Sequence, residues 1–279
     1  MFLGVPFDID RKELTNRIGN KMIRPTTVPQ SLEELFIEQA IAREALRLSF
    51  KQHKEFAVGL KGVQKERTIS DAFEQSGSGQ SLVNMMDLDL LVGSGGVLSH
   101  APRREQSAKM LIDSFMPEGI TQLAVDSIFM MPQLGVLANI DKKDLGEEAR
   151  NAALEVFNKD CLIRLGTCIS PVGNVKTGTV LSIKLEFSDK KVIEKDIQKN
   201  ELYRIKAQYE PIKAEIIPHK KMDIGSGVGE PINTTIYGGL VGIILDGRDR
   251  PISIPSDPKD RLSYLNDWSN ALNEYPTKG

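Results

Sequence analysis

Only two cysteines, Cys161 and Cys168, occur in the 279 residues of the chain. Two cannot build a disulfide framework, and these two lack the two-residue gap of a metal knuckle or a redox pair. The expectation is a pair of reduced, structural thiols in a cytosolic protein. Histidine is almost as scarce. His53, His100 and His219 are far apart and none are spaced i, i+4, which disfavours a zinc site of local origin. No stretch approaches the ~18 continuous apolar residues of a membrane span. The opening MFLGVPFDIDRKEL has no basic region ahead of its apolar patch, so it does not read as a signal peptide. Charge of one sign is also missing: 36 basic against 38 acidic side chains leave a net charge of -2. No basic excess therefore argues for a nucleic-acid groove or an anionic membrane surface, although a local patch remains open. No G-x-S-x-G elbow or Walker A loop occurs, and no Ser/His/Asp order stands out.

What is present is ordinary for a globular chain. Apolar residues make up 40% and charged residues 27%. At ~100–200 residues per domain, the length predicts one large domain or two smaller ones. Phe2, Leu3, Val5 and Phe7 alternate weakly, as if the chain began inside a domain. Pro25 and Pro29 then bracket a stiff connector, RPTTVPQ, expected to be extended. Ser31 and Glu34 fit a capping box that opens a helix running to about Lys54. Leu32, Leu35, Phe36, Ile41, Ala45 and Leu48 would form its buried stripe. Residues 66–81, with their QSGSGQS, read as a loop. DLDLLV, residues 87–92, reads as a buried strand. GSGG follows, and then a helix from about Pro102 with Ala108, Leu111, Ile112 and Phe115 as its core face. Leu123 to Val125 is a second strand candidate, and 130–140 and 147–157 are further helices.

After about Gly173 the composition turns β-branched and glycine-punctuated. The run GGLVGIILDGRDRPISI predicts a hairpin with Asp246-Gly247 at its turn. Residues 257–273 close as an amphipathic helix with Leu262, Leu265, Trp268 and Leu272 on one face. The expected layout is an α/β lobe over 1–170, a β-rich module over 171–256, and a C-terminal helix and tail over 257–279.

The strand–GSGG–helix element is the best candidate for chemistry. Glycine lets the backbone turn sharply and lets a ligand approach its amides, and a following helix presents unpaired N–H groups to a phosphate or nucleoside. A tight βα turn with no ligand is the competing reading. His100, Arg103 and Arg104 stand close enough to contact a phosphate or a partner, or simply to cap and solvate the helix start. Asp87 and Asp89 could pair as carboxylates or merely solvate a strand entry. The second glycine run, Asp223 to Gly229, could cradle a phosphate, with Asp223 holding a magnesium-bound water, but reads better as a surface turn. Met85, Met86, Met130 and Met131 read as core filler rather than a soft metal site. Neither a metal site nor a catalytic set emerges.

The stretch LDLLVGSGGVLSHAPRREQSAKMLIDSFMPEGITQLAVDSIFMMPQLGVLANI resembles the GlmL/MutL family of glutamate mutase accessory proteins, which share only a name with the mismatch-repair protein. RIGNKMIRPTTVP, FNKDCLIRLGTCISPVG and MDIGSGVGEPINTTIYGGLVGIILDGRDRPISIP extend that resemblance over nearly the whole chain. The resemblance implies an actin/Hsp70-like ATPase fold that clamps ATP or ADP with magnesium between two lobes. By the same resemblance, Gly93, Ser94, Gly95 and Gly96 would meet the adenosine, with Ser99 nearby. It also implies a cytoplasmic accessory protein that reactivates an adenosylcobalamin-dependent aminomutase or glutamate mutase. Nothing before Gly93 matches the acidic, threonine-rich phosphate loops of such a fold. The chain is therefore expected to resemble the C-terminal portion of the family, to need a separate N-terminal lobe as partner, and not to hydrolyse ATP alone. Two other classes stay open: a purely structural interaction module, and a stand-alone enzyme that uses GSGG for a phosphate.

Overall fold

A computed structural model describes residues 4–60, 83–140 and 146–275. The loop expected at 66–81 and the opening Phe2 and Leu3 lie outside the described residues. Two helices come first. α1 (Arg11–Ile23) starts where the Asp10 carboxylate accepts from the N–H groups of Lys12 and Glu13, at 2.8 and 3.2 Å. The segment RIGNKMI, which carries no clear apolar stripe, is thus helical by virtue of its cap. α2 (Leu32–Leu60) opens as expected at Ser31, whose hydroxyl accepts from the Glu34 N–H at 3.2 Å. The Glu34 carboxylate reaches back one residue further than a capping box requires, to the Gln30 N–H at 2.7 Å. The connector between them, residues 24–30, contains no helix or strand.

The apolar stripe expected on α2 is not its buried face. Leu32 and Leu48 are exposed, while Ile37, Gln39 and Ala40 are buried. The helix packs on α4 (Arg104–Phe115) partly through polar groups, so hydrophobicity alone misplaces the contact. α4 itself is buried nearly all round, with Ala108, Leu111 and Ile112 at its centre as expected.

Two main sheets follow. The first has the order β1-β2-β3-β11-β7 and mixes parallel and antiparallel pairs. β1 (Leu90–Gly93) runs parallel to β2 (Gly119–Asp126), and β2 is antiparallel to β3 (Leu162–Ser170). β11 (Gly242–Asp246) runs parallel to β3 and antiparallel to β7 (Leu202–Ile205). The second sheet is antiparallel, in the order β10-β8-β5-β6. Its strands are β5 (Thr179–Glu186), β6 (Val192–Gln198), β8 (Pro211–Pro218) and β10 (Ile232–Tyr237). The short strands β4 (Val172–Gly173) and β9 (Met222–Asp223) pair with one another.

Two sequence expectations are corrected here. DLDLLV is not a buried six-residue strand: residues 85–87 form a short 3-10 turn, and the strand occupies only 90–93 at the sheet edge, with Leu90 exposed. GGLVGIILDGRDRPISI is not a hairpin. Its GIILD is an inner strand, β11, covered on both faces and therefore apolar without alternation. Ile243 and Leu245 point into the core between the two sheets, with Ile169, Leu181, Ile183 and Ile212. Ile244 points the other way, into the core beneath the helices, with Leu123, Leu165, Leu111 and Trp268. The strands β7 and β11 come from the stretch expected to form a separate β module, yet they complete the first sheet. Gly166 makes this possible: a Cβ there would lie 1.7 Å from the Gly242 carbonyl oxygen.

The architecture is thus mixed α/β, with helices on one side of the first sheet and the second sheet on the other. The closing helix α7 (Pro258–Leu272) buries Leu265, Trp268 and Leu272 against the first sheet's helical side. Asp257 caps it, accepting from Lys259 and Asp260. A hairpin of α5 (Met131–Ala138) and α6 (Gly146–Val156) has a small core of its own around Leu134, Ala153 and Cys161.

Candidate functional site

The chain leaves β1 at Gly93, turns at Ser94 and Gly95, and enters α3 (Gly96–Ser99), a single helical turn. Gly95 has φ +108°, a left-handed conformation that favours glycine. Gly93 serves packing, since a Cβ there would meet Leu98 and Leu111 at 3.0 Å. At Gly95 and Gly96 a Cβ would meet no heavy atom within 4 Å, and both residues are exposed, as is Ser94. The corner is therefore not plugged by its own side chains. Because α3 has only four residues, however, it offers little of the axial dipole that a long helix would present.

A cleft of about 890 Å³ opens beside this corner. One wall is Gly96, Val97, His100, Ala101, Pro102, Arg103 and Gln106. The other is the connector with its two prolines, the first turns of α2, and Lys21 of α1. The sequence candidates divide around it. Gly96, His100 and Arg103 line the cleft. Ser99 does not: it is fully buried, and its hydroxyl donates to the Asp126 carbonyl at 2.5 Å. Arg104 donates from Nη1 to the Ser99 carbonyl at 2.7 Å and so closes the end of α3. Arg103 lies 3.6 Å from a Glu105 carboxylate oxygen, and the His100 ring stands edge-on to Phe129 at 5.3 Å. Lys21 is engaged by Glu38 and the Thr27 carbonyl.

Sequence reasoning missed the polar floor of the site. Gln39, on α2, lines the cleft and is fully buried. The Tyr275 hydroxyl, near the end of the described chain, donates to its Oε1. Behind it, Arg43 donates to the Gly4 carbonyl at 2.9 Å and lies 3.5 Å from Glu274 and 3.9 Å from Asp113. Asp113 in turn accepts from Lys109 and from Arg248 at 2.5 and 2.8 Å. Arg248 grips Asp246 through Nε and Nη2, both at 2.8 Å, and stacks over Trp268. Arg250 reaches Asp246 at 2.8 Å and the Ser170 hydroxyl at 2.7 Å. Burial opposes charge on Asp113, but Lys109, Arg248 and Arg43 outweigh it and hold the carboxyl well below the usual carboxylate range. Burial likewise opposes charge on Asp246, and Arg248 and Arg250 overcome it. The sequence signal was DGRDR, whose alternating charges follow directly on an apolar strand.

The remaining sequence candidates are spent elsewhere. Asp223 accepts from the N–H groups of Gly225 and Gly227, at 2.7 and 3.1 Å, and so closes its own turn. Asp87 and Asp89 are exposed, and Asp87 accepts from the Asn84 amide at 2.9 Å. Among the described residues, no group of three His, Cys, Asp or Glu side chains could hold a metal ion. Among the same residues, no helix is long and apolar enough to cross a membrane.

These features define a mixed α/β protein with an open, glycine-cornered cleft against a long helix. Residues 5–160, more than half of the chain and including both walls of that cleft, match the model of the MutL protein family, and the chain belongs to that family. No curated protein and no solved structure matches it.

Proposed function

We propose that the chain is an accessory protein of an adenosylcobalamin-dependent mutase of the glutamate mutase type, and that its cleft holds the nucleoside part of ATP or ADP. In this reading the first sheet and its helices form one lobe of an actin/Hsp70-like clamp. On the same reading a separate lobe holds the phosphates and magnesium; among the described residues no group of three His, Cys, Asp or Glu side chains could hold a metal ion. Nucleotide state then acts on the mutase only by binding its open and closed forms unequally, which releases damaged cofactor.

One observation carries the nucleotide part. Gly96 lines the cleft beside the only left-handed residue of the corner, and the space in front of it is free of protein atoms. In an actin/Hsp70-like clamp the nucleoside would sit in that space, which supplies a reason for it to be kept open. A bare turn does not require it.

The test is calorimetric titration of ATP and ADP into the full chain together with its mutase, for wild type and Gly96→Leu. Gly96 has an ordinary φ and open space at its Cβ, so the variant is expected to fold. Its leucine would occupy the cleft and weaken nucleotide binding by at least about tenfold. Wild-type complex that takes up neither nucleotide, or a folded Gly96→Leu that binds as wild type does, sinks this reading. A mutase that fails to associate with the chain under any nucleotide sinks the accessory role.

A further inference from the structure

We propose that the α5–α6 hairpin pairs with the same hairpin of a second copy of the chain, α5 against α5 across a two-fold axis. The inference stands apart from the nucleotide reading of the cleft.

α5 is apolar on its inner side and on its outer side. Leu134 faces inward and packs with Met130, Ala138 and Ala153 of α6. Opposite Leu134, at helical spacing, lie Pro132 and Val136, and Val136 is 72% exposed. Ile128, Phe129, Met131, Leu137 and Ile140 are exposed before and after it in the chain. Gln133 is the single polar side chain of the helix. A helix without a polar face belongs in an interior, and the described residues cover only one side of this one. Together these apolar residues expose roughly 550 Å², about two-thirds of the ~800 Å² that each partner gives to a standard interface, which matches the apolar share of homodimer contacts.

Two features point to a second copy as the occupant. The first is charge. A two-fold contact sets the same patch against itself, so a charge near the axis meets its like. No charged residue lies between Asp126 and Asp141. A second exposed apolar group, Met22, Ile23 and Val28, stands with Lys21 and Arg24, and self-contact there would bring cations together. The second feature is Gly135. A glycine inside an exposed helix weakens it relative to alanine. Gly135 is exposed, its φ is ordinary, and a Cβ would meet no heavy atom within 4 Å, so no described neighbour requires a glycine there. Next to Val136, it allows a second helix to approach more closely than a larger side chain would.

The experiment is sedimentation equilibrium of the full chain over micromolar concentrations, without nucleotide. Wild type should show twice the mass of the chain. Val136→Glu sets like charges against each other and should weaken self-association at least about tenfold, as should Val136→Lys. An equimolar mixture of the two should restore the dimer, because opposite charges then meet across the axis. Gly135→Leu, whose side chain would hold the helices apart, should also weaken it. Both positions are exposed, so the variants are expected to fold, and thermal melting verifies this. Hydrogen exchange of the wild type decides without any variant: protection over residues 128–140 should rise on dimerisation. Wild type that stays monomeric, unchanged protection over 128–140, or folded variants that dimerise as wild type does would each overturn the proposal. A mixture that stays monomeric overturns the two-fold pairing of α5. Monomeric wild type whose binding to the mutase is lost in Val136→Glu overturns it too, and assigns the face to the mutase.

Discussion

At Gly93 a side chain would strike Leu98 and Leu111, whereas at Gly96 it would meet nothing within 4 Å. GSGG marks a corner in the sequence, but only the surroundings show that its first glycine serves packing and its last faces a cleft. The same limit applies to Ser99 and Arg104. Both are polar, both stand near the corner, and both are occupied with backbone carbonyls. The cysteines were legible, because scarcity and spacing alone argued for structural thiols. Both are free and buried, at 0% and 1% exposure. Burial, and then the charge of Asp246, push the Cys168 thiol up to about 12. The thiolate is the reactive form, so at pH 8 Cys168 holds almost none and offers it no path to solvent. Cys161 is raised as well, again first by burial. Native protein at pH 8 should therefore react with an aromatic disulfide reagent only at its unfolding rate, and both thiols should react at once in strong denaturant. Rapid modification of either thiol in the native state would contradict this placement.

At the scale of elements, helices were more legible than strands. α4 declared itself through Ala108, Leu111 and Ile112, and α2 through Ser31, because caps and apolar periodicity are local signals. α1 was missed because its apolar residues are few and its cap, Asp10, stands in an otherwise featureless stretch. The face of α2 was misread because Gln39 and Arg43 contribute to its contact surface. GIILD was misread for a different reason. A strand buried on both sides loses its alternation, and Asp-Gly directly after it imitates a hairpin turn. The two readings differ measurably. In an inner strand, Ile244→Ala should destabilise the protein by about 2–5 kcal/mol, since Ile244 is 1% exposed. Leu90→Ala, in the edge strand β1, removes a side chain that is 37% exposed and should cost under about 1 kcal/mol. Urea midpoints of the two variants check this. Equal losses would place β11 at a surface.

Across the whole molecule, one ionic network joins parts that lie far apart in the chain. Arg43 of α2, Lys109 and Asp113 of α4, Asp246, Arg248 and Arg250 after β11, and Glu274 past α7 form a continuous chain of contacts. It carries four positive and three negative groups, so each carboxylate counts. A buried pair broken on one side typically costs about 3–5 kcal/mol, because the remaining charge is left without compensation. Asp113→Asn should cost about that much at pH 7, since Lys109, Arg248 and Arg43 all lean on the same carboxylate. The pH dependence follows with a definite sign. Asp113 and Asp246 have folded pKa values held below the ordinary ~3.9 of an unfolded aspartate, so on acidification the unfolded chain binds protons first. Their stabilisation is fully present above about pH 5 and is lost progressively as the pH falls through and below ~4. Urea denaturation at pH 7, 5, 4 and 3 should show stability flat over the upper interval and dropping over the lower. In Asp113→Asn the drop should be shallower, because one of the two titrating carboxyls is gone. A variant with the wild-type slope and only a lower plateau would mean that Asp113 shapes the interior without being ionised there, and the network would have to be redrawn around Asp246 alone.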